Sequence, residues 1–122
     1  MSAKTVLISG ASVAGPALAY WMDRYGFQVT VIERAAALRP GGQAVDFKGR
    51  TQLAVLDRMG VREEIFRRQT GRTDVRFLDA SGRQRAVMTG EFLGGDMEIL
   101  RGDLAAVFYE LTAGRCEYLF AD

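Results

Sequence analysis

Histidine is absent from this chain, and cysteine occurs once, as Cys116. The first absence removes the usual general base of Ser-His and Cys-His catalysis and the commonest zinc ligand. The second excludes an intrachain disulfide. It leaves Cys116, which precedes an apolar strand-like run, as a buried bystander thiol rather than a nucleophile. Such cysteine usage fits a reducing, cytoplasmic setting. Neither sign of charge is in excess: 16 Lys and Arg against 15 Asp and Glu give a formal net charge of +1. No overall field therefore draws nucleic acid or an anionic membrane, and neither is expected as a partner. The adjacent pair Arg67-Arg68 reads as a solvated face. Long apolar runs are missing too. The stretch after Lys4 is interrupted by Gly10, Ser12, Gly15 and Pro16, and no run approaches the ~20 apolar residues of a membrane span. What remains is 122 residues with 48% hydrophobic and 25% charged side chains, the composition of one globular domain with its own core.

Its most informative stretch is near the start, "VLISGASVAGPALAYWM". Thr5-Val6-Leu7-Ile8 is a short, β-branched apolar run, as expected of a buried parallel strand. It ends in a turn spaced like G-x-G-x-x-G, with serine at the middle glycine: Gly10, Ser12, Gly15. Beyond the turn Ala14, Ala17, Leu18, Trp21, Met22 and Tyr25 recur at helical spacing, with Pro16 tolerated in the first turn and Gly26 as the stop. Phe27 to Ile32 is a second β-branched run. Strand, glycine turn, helix and strand make a βαβ unit, so the fold class is α/β, a Rossmann-like dinucleotide-binding fold on a parallel sheet.

Further along, 35–42 reads as a loop punctuated by Arg39-Pro40-Gly41-Gly42. A short extended piece at 44–47, a helix over 51–59 ended by Gly60, and a second helix over 62–68 follow. A small β-hairpin is expected from 74–78 and 85–88 around Asp79-Ala80-Ser81-Gly82. Residues 98–100 read as extended, Leu104, Val107, Phe108 and Leu111 mark a helix, and 117–121 reads as a strand.

Each glycine of such a turn has a task. The first permits the bend, the second lets backbone approach a pyrophosphate, and the third lets the helix pack on the strand. Gly10 and Gly15 keep the outer two. Ser12 costs space at the second but offers a hydroxyl to a phosphate oxygen, beside the positive end of the helix. Glu33, directly after the second strand, stands where a carboxylate accepts the adenosine ribose hydroxyls. That carboxylate repels a 2′-phosphate, which disfavours NADP as resident ligand and leaves NAD and FAD. Arg34 is either an adenine or phosphate neighbour or a solvated loop residue. Arg101 precedes the last helix, where its charge is disfavoured by ~0.3–1 kcal/mol; Asp103 or a cofactor pyrophosphate offsets it.

Three segments, "VLISGASVAGPALAYWMDRYGFQVTVIER", "GGQAVDFKG" and "EILRGDLAAVFYEL", together resemble class A flavin-dependent aromatic hydroxylases. The similarity is greatest to the bacterial branch that acts on polyketide-type aromatics, including tetracycline-modifying monooxygenases, where the turn is often G-A-S-x-A-G-P. The resemblance implies FAD as resident cofactor and NAD(P)H as transient reductant, with one oxygen atom of O₂ passing to an electron-rich ring of a small aromatic substrate. It places Gly10, Ser12, Ala14 and Gly15 along the pyrophosphate, Glu33 on the ribose and Arg34 beside the adenine. Gly42 and Asp46 fall in the segment toward the flavin ring, and Arg101 reaches the cofactor from its helix start. No side chain is expected to act as acid, base or metal ligand. The resemblance also makes residues 1–122 the N-terminal portion of an FAD-binding domain, an incomplete domain that needs a second polypeptide carrying the remainder. The competing reading is an NAD-binding Rossmann module, either of a reductase or of a non-catalytic sensor. No Tyr-x-x-x-Lys pair supports the reductase, and bound yellow flavin discriminates against both.

Overall fold

The computed structural model describes residues 2–122. Its elements run β1 (Thr5–Ser9), α1 (Ala14–Arg24), β2 (Gln28–Glu33), β3 (Ala44–Phe47), α2 (Arg50–Met59), α3 (Arg62–Arg67), β4 (Val75–Leu78), β5 (Gln84–Met88), α4 (Gly90–Leu93), β6 (Met97–Leu100), α5 (Arg101–Thr112) and β7 (Glu117–Phe120). They form two compact units, Met1–Gln43 with Leu100–Asp122, and Ala44–Ile99.

The first unit is built on a three-stranded sheet in the order β1-β2-β7. Both pairings are parallel, Ile8 facing Val31 across the first and Val31 facing Tyr118 across the second. Strand alternation turns Ile8, Val29 and Val31 to one face, where they form a core with Ala11, Ala19 and Cys116. Helix α1 packs on β1, β2 and α5. Tyr109 of α5 lies edge-on to Tyr118, with ring centres 4.8 Å apart, and 6.0 Å from Phe120. Tyr118 and Phe120 are thereby partly covered. The opposite face is open. Leu7 is 65% exposed and Leu119 40% exposed, although parallel sheets are ordinarily covered on both sides.

The face of α1 differs from its apolar periodicity. Pro16 and Ala19 are its buried residues, whereas Leu18 and Tyr25 are exposed. Small residues face the sheet because α1 lies very close to it. A Cβ on Gly15 would stand 1.8 Å from the Gly10 carbonyl oxygen. The larger apolar side chains are displaced to the flanks, where Met22 still reaches the core.

In the second unit β3 pairs with β6, and β4 pairs antiparallel with β5 as the expected hairpin. Leu56, Met59, Val61, Ile65, Met97 and Ile99 are buried there, and Gly60 ends α2 at φ 70°, as a helix-stop glycine does. The hairpin is solvated, with Phe77 and Leu78 exposed. Helix α4, a single turn between β5 and β6, has no counterpart among the expected elements.

Candidate functional site

Gly10 leaves β1 with φ 104°, in the region that glycine enters without strain. Its N–H donates to the Ile32 carbonyl at 2.8 Å, which ties the turn to the end of β2. Gly15 meets the Gly10 carbonyl so closely that no side chain fits between them. The first and third glycines thus perform the tasks their positions demand. Helix α1 begins at Ala14, which is exposed. Its N-cap residue, Val13, supplies no side-chain acceptor, and its first turn holds no acid. The N-terminal amides are left for an external anion, which the helix dipole favours.

Glu33 closes β2 and faces this turn. Its Oε2 accepts the Ala11 N–H at 2.8 Å and its Oε1 accepts the Ala35 N–H at 2.8 Å. An ionised carboxylate has about four acceptor positions, so two remain for vicinal ribose hydroxyls. The bond from Ala35, then that from Ala11, and more weakly Arg39 and Arg34, hold the carboxyl below its ordinary value of 4.5, against a partial loss of hydration. A carboxylate with a lowered native value stabilises the fold fully above its unfolded value, and that contribution disappears as the pH falls through the native one. We therefore expect acidification from about pH 4.5 downward to release the turn. Thermal midpoints followed against pH should show this component in the parent chain and not in Glu33→Gln. Superimposable pH profiles for the two proteins would exclude the clamp.

Arg101 opens α5, within the helix rather than before it. Its N–H donates to the Gln43 carbonyl at 2.9 Å, and the next N–H, from Gly102, donates to the Gly41 carbonyl at 2.7 Å. A Cβ on Gly102 would lie 2.5 Å from Gly41 N, so only glycine allows this approach. The Arg101 side chain runs past Gly42, where a Cβ would stand 2.6 Å from its Nε, and Nη1 donates to Ser12 Oγ at 3.0 Å. Ser12, Glu33, Arg39 and Arg101 line one narrow crevice.

The structure thus gathers Gly10, Ser12, Ala14, Gly15, Glu33, Gly42 and Arg101 within one unit, and Arg34 sits exposed beside Glu33. Asp46 belongs to the other unit, where its Oδ1 accepts the Gly95 N–H at 3.1 Å. Sequence reading missed Arg39, taken there as loop punctuation, and the Gly41–Gly102 contact. A cation between the strand-ending acid and a Gly-Gly pair was the available signal for Arg39. Cys116 is buried, and burial pushes its thiol up from 9.0, which suits a bystander. No helix among the described residues is long and apolar enough to cross a membrane.

A glycine turn at a helix start without a side-chain cap, a carboxylate on the adjoining strand and an arginine across the crevice match the layout of a Rossmann-type dinucleotide site. The FAD binding domain family matches residues 3–101, and the chain belongs to that family. An uncharacterised protein of Mycobacterium tuberculosis (strain ATCC 25618 / H37Rv) is 43% identical over 125 residues, covering 98% of this chain and 33% of its own length. A flavin-dependent monooxygenase of Legionella longbeachae serogroup 1 (strain NSW150) is 40% identical over 112 residues, covering 88% of this chain and 28% of its own. Among solved structures, tetracycline destructase Tet(51) superimposes with a TM-score of 0.82 at 34% identity, over 99% of this chain and 31% of that one. The chain therefore spans about a third of the length of these relatives. Membership of the FAD binding domain family decides between NAD and FAD, which Glu33 alone leaves open.

Proposed function

We propose that this chain is the FAD-binding part of a flavin-dependent monooxygenase that hydroxylates an aromatic or polyketide-type small molecule with NAD(P)H and O₂. The observation that carries this reading is the cradle itself, Gly10, Ser12, Gly15, Glu33, Gly42 and Arg101 in one unit of an FAD binding domain. When bound, FAD supplies the redox chemistry, taking two electrons from NAD(P)H so that one oxygen atom of O₂ enters the product and the other leaves as water. The chain's own residues bind and orient. Glu33 holds the ribose, with Arg34 beside the adenine; the α1 amides and Ser12 hold the pyrophosphate; and Arg101 neutralises its charge. The Gly42 to Asp46 segment leads toward the ring end of the cofactor.

Completion by a second polypeptide, in a cytoplasmic setting, is part of the same reading. The exposed Leu7 and Leu119 support it, since a parallel sheet needs a second layer. A reacting ring also needs exclusion of water that an open cradle does not give. The test compares the 122-residue chain alone with the chain co-expressed with polypeptide homologous to the rest of its relatives. Each is supplied with FAD, NAD(P)H and a panel of aromatic polyketides that includes a tetracycline. Products carrying one added oxygen are expected only from the combination. Hydroxylation by the chain alone would overturn the need for a partner, and no flavin retention in either preparation would overturn the cofactor.

A further inference from the structure

Ser12 stands where the general fingerprint has a glycine, and the structure gives it a task that glycine lacks. The usual reason for glycine in such turns is a positive φ or a close backbone approach. Among the described residues Ala121 is the only non-glycine with positive φ, so the backbone at position 12 makes no conformational demand for glycine. The hydroxyl instead receives the Arg101 guanidinium, Nη1 to Oγ at 3.0 Å, across 89 positions of sequence.

The other side of that guanidinium is bounded by Gly42. A Cβ there would lie 2.6 Å from Nε and 2.9 Å from Nη2. The base of the side chain is fixed as well, because the Arg101 N–H is held by the Gln43 carbonyl at 2.9 Å. Arg101 is thus held at its root by backbone, along its length by the space at Gly42, and at its tip by Ser12. The tip needs that bond. Arg101 is the first residue of α5, where the helix dipole repels a cation, and a long arginine side chain has many rotamers that lead to solvent. A serine hydroxyl that accepts from arginine still has its own proton to donate. Ser12 and Arg101 can therefore present two donors to one anionic group.

We infer that Ser12 is a positioning residue for Arg101, and that the two form one coupled anion-binding pair in which glycine at position 12 is a loss rather than a restoration. This rests on the proposal that Arg101 meets the cofactor pyrophosphate, and it adds the residue that aims it. It also runs against the simplest reading of the motif, by which Ser12→Gly would improve binding.

The experiment is a double-mutant cycle on the full chain, with ADP and adenosine as probes in calorimetric titrations and the thermal midpoint as a check on folding. Arg101→Ala should weaken ADP binding about tenfold or more, the loss of a charge-assisted contact. Ser12→Gly and Ser12→Ala should each weaken it by about three- to tenfold through the same contact. Ser12→Thr, which keeps the hydroxyl, should retain most of the affinity. In the Arg101→Ala background, Ser12→Gly should add little further loss, and adenosine affinity should stay constant throughout. If Arg101→Ala weakens ADP while Ser12→Gly binds as the parent or more tightly, the coupling is refuted and the Arg101 assignment survives. If Arg101→Ala leaves ADP affinity unchanged, the assignment itself falls and the coupling with it. Equal losses for ADP and adenosine with lowered midpoints would make Ser12 a purely structural residue, which also refutes the inference.

Discussion

Replacing Gly15 by alanine should abolish FAD binding and destabilise the chain. Among the described glycines it is the position where an added Cβ would make the closest contact. The added Cβ would fall 1.8 Å from the Gly10 carbonyl oxygen and 3.5 Å from Ile8 Cγ2. The first obstacle is backbone, so no rotamer change relieves it. Either α1 lifts from the sheet or the turn reopens. Lifting α1 disturbs the cluster of Ile8, Ala11, Ala19, Val29 and Val31, and overpacking of this kind costs about 1–3 kcal/mol or more. Reopening the turn breaks the bond from Gly10 N–H to the Ile32 carbonyl and misaligns the α1 amides, which bind an anion only if they converge. Urea denaturation and flavin retention on purification measure the two consequences separately. A variant of parental stability that keeps its flavin would mean that α1 does not sit on the turn as described.

Glu33→Ala should be nearly as damaging to binding, for a different reason. The carboxylate clamps Ala11 N–H and Ala35 N–H, and in the proposed function it also carries the cofactor ribose. Alanine removes both at once and leaves the Ala11 amide, on a residue only 4% exposed, without its acceptor. Losing a charged hydrogen-bond partner lowers affinity by about ten- to a hundredfold. Glutamine separates the loads. It keeps one carbonyl acceptor and gains a donor, so it can serve the ribose or one amide but not the whole set. FAD titrations should therefore rank the parent above Glu33→Gln and Glu33→Ala last. Parental affinity in Glu33→Ala would remove the ribose from this residue.

The βαβ unit was legible because each of its parts is written in local chemistry. Gly10 and Gly15 sit at fixed offsets between a β-branched strand and a helix, Gly26 and Gly60 stop helices, and Asp79-Ala80-Ser81-Gly82 turns a hairpin. The place of Glu33 was legible for the same reason: it ends the second strand, and its carboxylate faces the turn and accepts the Ala11 N–H. What stayed hidden is tertiary. The apolar residues of α1 gave the wrong buried face, because close approach at Gly15 selects small residues and pushes Leu18 and Tyr25 outward. Gly41 and Gly102 carry no sign in sequence that they touch, although a Cβ on Gly102 would lie 2.5 Å from Gly41 N. The partnership of Ser12 with Arg101 spans 89 positions, and no window of sequence contains both. Read alone, Ser12 is a departure from a motif; beside Arg101 it is an acceptor for a guanidinium.

In the proposed function the first unit of this chain holds the adenosine diphosphate half of FAD between the α1 amides, Glu33 and Arg101. Titration of the purified chain with FAD is followed by flavin fluorescence and challenged with ADP, AMP and 2′,5′-ADP, the last being AMP with an added 2′-phosphate. We expect saturable FAD binding that ADP displaces, and that AMP displaces more readily than 2′,5′-ADP, because Glu33 in this role accepts free ribose hydroxyls and repels a 2′-phosphate. A folded chain that binds neither FAD nor ADP, or that releases FAD as readily to 2′,5′-ADP as to AMP, would refute this mode of binding.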